Sequence, residues 1–447
     1  MPSVPTGPIA LSPSGEGHIL HDWLALVYGV DDDRAWPQLA DRVFREHLAL
    51  ATRIAVVACA IGDEDVLLAS IGADPAWVNR PMAWTCPTCG VQQGRPPLVA
   101  VTHSSLIHIA EYREPLRRCA RLLLDAGADP NQSWTGTGPP LSALYGAAGK
   151  NHDAVLTEIL LAAGANPNDG ESLYHSMESR DVTCARLLLE AGAKVAGSNA
   201  LHHNLDTDNL EGLRLLLAHG ADPNDASLGL PIIWAIRRRR SGAHVAALLA
   251  AGADPHANSH GVSAYRFASL LGLPDVAAAL ADAGAAEPLS STDEFIAACA
   301  RADESAARGL LERQPGIIGT LSPIHLSLLP SLAAEAGNDG VRLMVTLGWP
   351  IAAIGGDLQA SALNYAVFRG DAALTRFLLE HGARWIERHC HNDNVKGTLA
   401  WASRNHDPAA GDWVGCARAL VEHGMPAGLE GRTYSAEVTE FLAPAGR

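Results

Sequence analysis

The sequence predicts an all-α protein, a solenoid of about eleven helix-turn-helix repeats with short projecting turns. The first observation is a recurring phrase, seen as LLLDAGADPN at 122–131, LLAAGANPND at 160–169 and LLLAHGADPND at 215–225. The second is its spacing, because the phrase glycines Gly127, Gly164, Gly192, Gly220 and Gly252 are 37, 28, 28 and 32 residues apart. A unit of this length holds two short helices and cannot bury its apolar face alone, so it stacks on its neighbours.

The chain divides into three parts in sequence order. Residues 1–50 predict a disordered Pro/Ser/Gly-rich leader followed by a helical cap, with phrases such as RAWPQLADRVFREHLAL. Residues 51–427 predict the repeat array, interrupted by insertions near 80–95 and 404–415. Residues 428–447 predict a C-terminal capping helix, because terminal repeats need a polar outer face.

The recurring phrase has a physical logic. Leucines at helical spacing form a narrow apolar face, and the glycine that follows provides the left-handed backbone that ends a helix. Asp or Asn before Pro then favours a turn and prevents the helix from continuing.

The phrase, with fragments such as NALHHN at 199–204 and SALNYAVFRGD at 361–371, resembles the ankyrin repeat family over roughly residues 51–427. The resemblance implies paired helices and a concave surface made of turn tips and first helices, on which side chains are free to vary. It also implies a protein partner, although repeat proteins of one fold share a scaffold and not a ligand.

The first insertion carries WTCPTCG, which places Cys86 and Cys89 at the spacing of half a structural zinc site. The sequence has no second C-x-x-C, so the favoured interpretation is a turn with two thiols and no cofactor. Zinc bound by Cys86 and Cys89 is the alternative, and a reversible disulfide is a further one. The other six cysteines stand singly and are expected to be small buried hydrophobes.

Composition limits the partners. The formal net charge of −16 disfavours a sequence-independent grip on nucleic acid or on anionic lipid. The first residues have neither the charge nor the apolar run of a secretory signal, and no stretch reaches bilayer-spanning length. We therefore expect a soluble, cytoplasmic, monomeric protein, and the three lysines beside abundant Arg, Ala and Gly suggest a bacterial source.

Candidate partner-binding residues lie at turn tips. Trp77, Trp134, Trp349 and Trp385 replace the small or polar residues of the common phrase, and tryptophan is a favoured interface anchor. Each indole has an alternative role in covering the gap between neighbouring turns. The RRRR run at 237–240 offers Arg238 and Arg239 to an acidic partner, while the alternative is that these cations complement a helix C-terminus.

No catalytic motif stands out: the sequence has no G-x-S-x-G, no phosphate-binding P-loop and no H-E-x-x-H. The leading hypothesis is a protein-interaction scaffold without catalysis of its own. A metal-binding or redox-responsive protein that uses the Cys86/Cys89 loop is the second hypothesis. The third is an enzyme whose site is built on the irregular repeats.

Overall fold

The computed structural model describes residues 15–29, 35–48, 53–82, 84–85, 92–135, 139–406 and 408–443. The chain divides between Asp222 and Pro223 into two compact units. Each unit consists of pairs of antiparallel short helices. Within the described part, no helix combines the length and the apolar character needed to cross a membrane.

Unit 1 begins with two helices and continues with repeats in which a first helix is followed by a second one. Its α-helices are α1 (Gly15–Tyr28), α2 (Pro37–Val43), α3 (Ala55–Ile61), α4 (Glu64–Ala73), α5 (Pro97–Thr102), α6 (Ala110–Asp125), α7 (Ala154–Ala162), α8 (Ser172–Ser176), α9 (Thr183–Glu190), α10 (Ala200–Asp206) and α11 (Leu210–Ala218). Shorter helical turns are Phe44–Leu48, Pro75–Asn79, Ser105–His108 and Tyr145–Lys150. The turn Tyr145–Lys150 occupies the place of a first helix before α7.

Unit 2 repeats the same pairing. Its α-helices are α12 (Pro231–Arg237), α13 (Gly242–Ala250), α14 (Ala264–Leu270), α15 (Pro274–Asp282), α16 (Ser291–Ala300), α17 (Glu304–Arg313), α18 (Pro323–Leu326), α19 (Leu328–Ala334), α20 (Asn338–Thr346), α21 (Ala362–Phe368), α22 (Ala372–Glu380), α23 (Val395–Asn405), α24 (Trp413–Glu422) and α25 (Ala436–Leu442). Two 3-10 turns, Ile317–Thr320 and Pro408–Ala410, complete it.

The projecting turns, or fingers, contain the few strands. Each strand has two residues and pairs antiparallel with the next: β1 (Trp84–Thr85) with β2 (Gln92–Gln93), β3 (Ser133–Trp134) with β4 (Leu141–Ser142), β5 (Asn258–Ser259) with β6 (Val262–Ser263), and β7 (Ile354–Gly355) with β8 (Ala360–Ser361). The first insertion is therefore a hairpin base, and Cys86 and Cys89 lie outside the described residues.

The end of each second helix explains the recurring phrase. In α9, Leu188 is fully buried, and the N–H of Ala193 donates to the Leu188 carbonyl at 2.9 Å. Gly192 between them has φ +96°, which L side chains rarely adopt. This is the Schellman arrangement, in which a left-handed residue lets the chain leave the helix while the last carbonyls stay bonded. The glycine therefore ends the helix as the sequence predicts.

The asparagine of the phrase joins one finger to the next. Asn168 donates through Nδ2 to the Gly192 carbonyl at 3.1 Å, and its Oδ1 accepts from the Lys194 N–H at 2.8 Å. Asn131 makes the same pair of bonds one repeat earlier, to the Gly164 carbonyl and the Asn166 N–H. One amide thus satisfies an acceptor and a donor that the end of the neighbouring helix leaves open.

The helix α6 runs for 16 residues, from Ala110 to Asp125. Pro115 lies inside α6, and a Cβ on Gly62 of the preceding repeat would stand 2.8 Å from the Pro115 and Leu116 backbone. The turn at Gly62 therefore packs closely against α6 at Pro115.

Helices occupy both terminal regions. Residues 1–50 contain α1 and α2, and residues 1–14 are not among those described. Trp23 of α1 is fully buried, and its Nε1 donates to the Ala40 carbonyl of α2 at 2.8 Å. At the other end α25 buries Val438 and Leu442, and it packs on α24.

Candidate partner-binding surfaces

The four finger tryptophans have different environments. Trp77, Trp134 and Trp385 are half-buried, and the Arg95 guanidinium lies 3.9 Å from the centroid of the Trp134 ring. Trp349 is only 3 % exposed, and its Nε1 donates to the Leu326 carbonyl at 3.4 Å. The structure therefore buries Trp349 against α18 and leaves three of the four rings partly exposed.

The arginine run lies at the end of α12 and is engaged within unit 2. Arg238 pairs with Glu335 at 3.2 Å and with Asp357 at 2.8 Å. Arg239 donates to the Leu271 carbonyl at 2.5 Å. Arg238 and Arg239 thus hold distant parts of unit 2 together, which is a different structural role from the helix-end charge effect that the sequence suggested.

A cavity of about 540 Å³ lies beside these ion pairs. Its walls come from the end of α12, from α14, from α19 and from the β7–β8 finger, with apolar side chains that include Phe267, Leu271 and Leu328. The volume falls within the usual range for binding pockets, about 300–1,000 Å³. No described residue of either insertion lines it.

A row of aromatic and imidazole rings crosses three successive repeats of unit 1. We call this surface the aromatic row and define it as Tyr145, Tyr174, His175 and His203. Tyr174 stacks on His203 with centroids 3.9 Å apart and planes 16° apart, and His175 meets Tyr145 edge-on at 5.2 Å. All four side chains are half-buried, so they present ring surface to solvent.

Short first helices place these rings. Tyr145 opens the turn Tyr145–Lys150, Tyr174 and His175 lie in α8, and His203 lies in α10. Inside α10 the adjacent His202 is buried while the His203 side chain is 16 % exposed, because neighbouring helical residues point in different directions. The first helices therefore keep one face for packing and one for solvent.

Two carboxylates flank the row. Glu178 Oε1 lies 2.7 Å from His175 Nδ1 and 3.3 Å from His203 Nε2, and Glu171 Oε2 lies 3.3 Å from His175 Nε2. Burial opposes ionisation of Glu178, but its bonds to His175 and His203 outweigh burial and lower its pKa to about 2. Burial also disfavours charged His175, yet Glu178 and Glu171 raise its pKa overall.

His103 is a buried neighbour of the aromatic row, and it stays neutral. His103 is 2 % exposed, and its Nε2 lies 2.8 Å from the Ser142 carbonyl. Burial, followed by the charge of Lys150, lowers the pKa of His103 to about 3. Its ring lies 5.6 Å from that of Tyr145, so it supports the row without adding charge.

Sequence reasoning missed Trp401 as well as the row. Trp401 is 45 % exposed on α23 and stacks on Phe368 with centroids 5.5 Å apart and planes 8° apart. The available signal was helical position, since Leu399 and Ala402 of α23 are buried and Trp401 falls on the other face. The sequence analysis considered tryptophans at turns, whereas Trp401 lies on the first helix α23.

Most of the single cysteines are buried, as the sequence predicts. Five of the six single cysteines are buried (Cys59, Cys119, Cys184, Cys299 and Cys416), and Cys390 is exposed. Burial raises the pKa of the Cys184 thiol to about 11 and so suppresses its reactivity. Among the described residues no group of three or more His, Cys, Asp or Glu side chains is arranged to hold a metal ion. The two proposed zinc ligands, Cys86 and Cys89, lie outside the described residues.

Paired short helices, glycine-terminated second helices and fingers joined by asparagine define a helical repeat protein. Residues 144–227 match the family model of ankyrin repeats (3 copies). The match covers 84 of the 447 residues, and in this part of the chain it confirms the ankyrin repeats that the recurring phrase predicted.

Solved structures give two further likenesses. The human ASB11 ankyrin repeat domain is 19 % identical with a TM-score of 0.24, over 51 % of this chain and 99 % of that one. The ankyrin repeat domain of Bcl-3, described as a unique member of the IkappaB protein family, is 20 % identical with a TM-score of 0.26, over 54 % and 96 %. A comparison with curated proteins gives no match.

Proposed function

We propose that this chain is a protein-interaction scaffold, which binds a protein partner through its first helices and fingers and has no catalysis of its own. The aromatic row is the observation that carries the proposal. Aromatic side chains on a surface provide much of the binding energy of protein interfaces because each ring buries a large area at a small entropic cost.

The arrangement of the row supports this role. Its rings come from three successive repeats, so a partner lying along the first helices would contact Tyr145, Tyr174 and His203 together. The packing residues of the same helices are separate from the row, as buried Leu173 and Leu201 illustrate. Residues that bind and residues that hold the fold are thus distinct, as a scaffold requires.

The test starts with the whole chain as bait. Captured proteins are identified by mass spectrometry, cross-linked to the bait, and then titrated in purified form against the wild type and the double variant Tyr174→Ala/His203→Ala. We expect a cross-link on a first helix and a loss of affinity of about tenfold or more in the double variant, since truncating a central anchor costs more than 1 kcal/mol.

The matched control is Phe377→Ala, which removes a half-buried ring from the second helix α22. We expect it to change affinity by less than about twofold, as surface substitutions away from special features usually do. A specific partner that binds the double variant as tightly as the wild type would show that the row is not the binding surface. Failure to capture any partner above the empty-bait background would reject the scaffold role.

A further inference from the structure

We infer that the aromatic row binds an arginine-containing, basic segment of the partner, an inference that rests on the scaffold role proposed above. The row combines two chemistries that recognise a guanidinium. Its rings offer π faces, and its carboxylates offer paired acceptors.

The four rings contact one another across the three repeats. Tyr174 and His203 stack, and His175 contacts both Tyr145 and Tyr174 edge-on, at 5.2 and 4.8 Å. A planar guanidinium stacks on such rings more readily than an ammonium does, because it is flat and less strongly hydrated. The geometry therefore favours arginine over lysine.

Carboxylates lie at the edge of the rings. The Glu178 side chain is 43 % exposed and the Glu171 side chain 26 %, so both reach solvent beside the row. Their described ion-pair partners are the imidazoles of His175 and His203. An arginine from a partner would provide a permanent charge in their place.

The neighbourhood of the row is negative. Burial, followed by the charges of Glu178 and Glu171, raises the pKa of Tyr145 to about 12. Burial, Asp206 and the same two glutamates raise the pKa of Tyr174. The net charge of the chain, −16, adds a long-range attraction for basic segments.

Protonation of the row should oppose this binding. The titratable groups that face His175 include Glu171, Glu178, Tyr145, Tyr174, His203 and His152. The pKa of His175 is raised, so its proton binds as pH falls toward its ordinary value of 6.5 from above. A positive imidazolium between the two glutamates would then repel an arginine, and affinity should decrease with falling pH.

The experiment uses fluorescence anisotropy with the full chain at physiological ionic strength, about 0.15 M. The probes are the fluorescein-labelled peptide GSRGRGRGS and two counterparts in which lysine or glutamate replaces every arginine. We compare the wild type with Glu178→Gln, Tyr174→Ala and Tyr174→Phe, and with Glu190→Gln, which neutralises an exposed carboxylate on the second helix α9. Circular dichroism melts verify that each variant is folded.

We expect the arginine peptide to bind best and the glutamate peptide not to bind. Glu178→Gln and Tyr174→Ala should each weaken binding about tenfold, whereas Tyr174→Phe and Glu190→Gln should change it less than about twofold. Binding of the arginine peptide should weaken between pH 8 and pH 6 in the wild type, and in Glu178→Gln this pH dependence should shrink.

Equal losses in Glu178→Gln and Glu190→Gln would overturn the inference, because they would show only attraction to overall charge. Equal binding of the arginine and glutamate peptides would also overturn it. If a captured partner needs Tyr174 and His203 but crosslinks through a segment without arginine, the inference fails while the scaffold role stands. If the captured partner binds the row variants as tightly as the wild type, the row is not the proposed binding surface, regardless of the peptide affinities.

Discussion

The role of a histidine or an asparagine in this protein depends on its position in the repeat. His202 is buried in α10 and supports packing, whereas His203 is partly exposed and stacks on Tyr174. Asn131 and Asn168 lie in similar phrases, and each side chain bridges two backbone groups of the next finger. At the scale of the residue, therefore, position within the repeat determines the role.

The asparagine bridge gives a prediction for stability. Asn168→Ala removes the bonds to the Gly192 carbonyl and the Lys194 N–H, so we expect the free energy of unfolding to decrease by about 1–2 kcal/mol. Urea unfolding followed by circular dichroism measures the change. Glu190→Ala is the control and should change stability by less than about 0.5 kcal/mol. Equal stability of Asn168→Ala and the wild type would mean that water replaces the bridge without cost.

Each repeat element is too short to be stable alone. A helix of seven to ten residues, such as α10 or α9, is marginal in water, so its stability comes from the neighbours against which it packs. The Schellman end and the finger bonds then fix where one helix stops and the next repeat begins. The fold is consequently a series of local contacts between consecutive elements.

The last helix, α25, tests this dependence on neighbours. Leu442 is 1 % exposed, and α25 packs on α24, so Leu442→Ala should destabilise the end of unit 2 by about 2 kcal/mol or more. Hydrogen exchange should become faster in α25 and α24 and remain unchanged in unit 1, because repeats interact chiefly with adjacent repeats. Glu440→Ala, an exposed change in the same helix, is the control. Uniformly faster exchange throughout unit 1 would contradict the prediction.

Unit 2 contains contacts between repeats that are not neighbours in sequence. Unit 2 brings Arg238 at the end of α12 to Glu335, 97 residues further along the chain, next to the cavity of about 540 Å³. Contacts of this span go beyond the nearest-neighbour contacts of an ideal repeat array. The ion pairs of Arg238 with Glu335 and Asp357 therefore stand at the wall of this cavity.

Metal content is a prediction for the molecule as purified. We expect less than about a tenth of an equivalent of zinc by elemental analysis, because a closed structural site needs four ligands and the sequence has a single C-x-x-C. Cys86→Ser/Cys89→Ser should then leave the melting temperature unchanged. About one equivalent of zinc, lost in that double variant, would support the zinc alternative instead.

The sequence by itself determined the repeat, because its signals are local: leucine spacing, the glycine with positive φ and the turn after it all act within a few residues. The resemblance to ankyrin repeats also led to the expectation that first helices and fingers are the surfaces free to vary. Only the tertiary structure decided that Trp349 is buried, that Arg238 pairs with Asp357, and that four rings align as a row. These features depend on how side chains of different repeats meet, which no short stretch of sequence specifies.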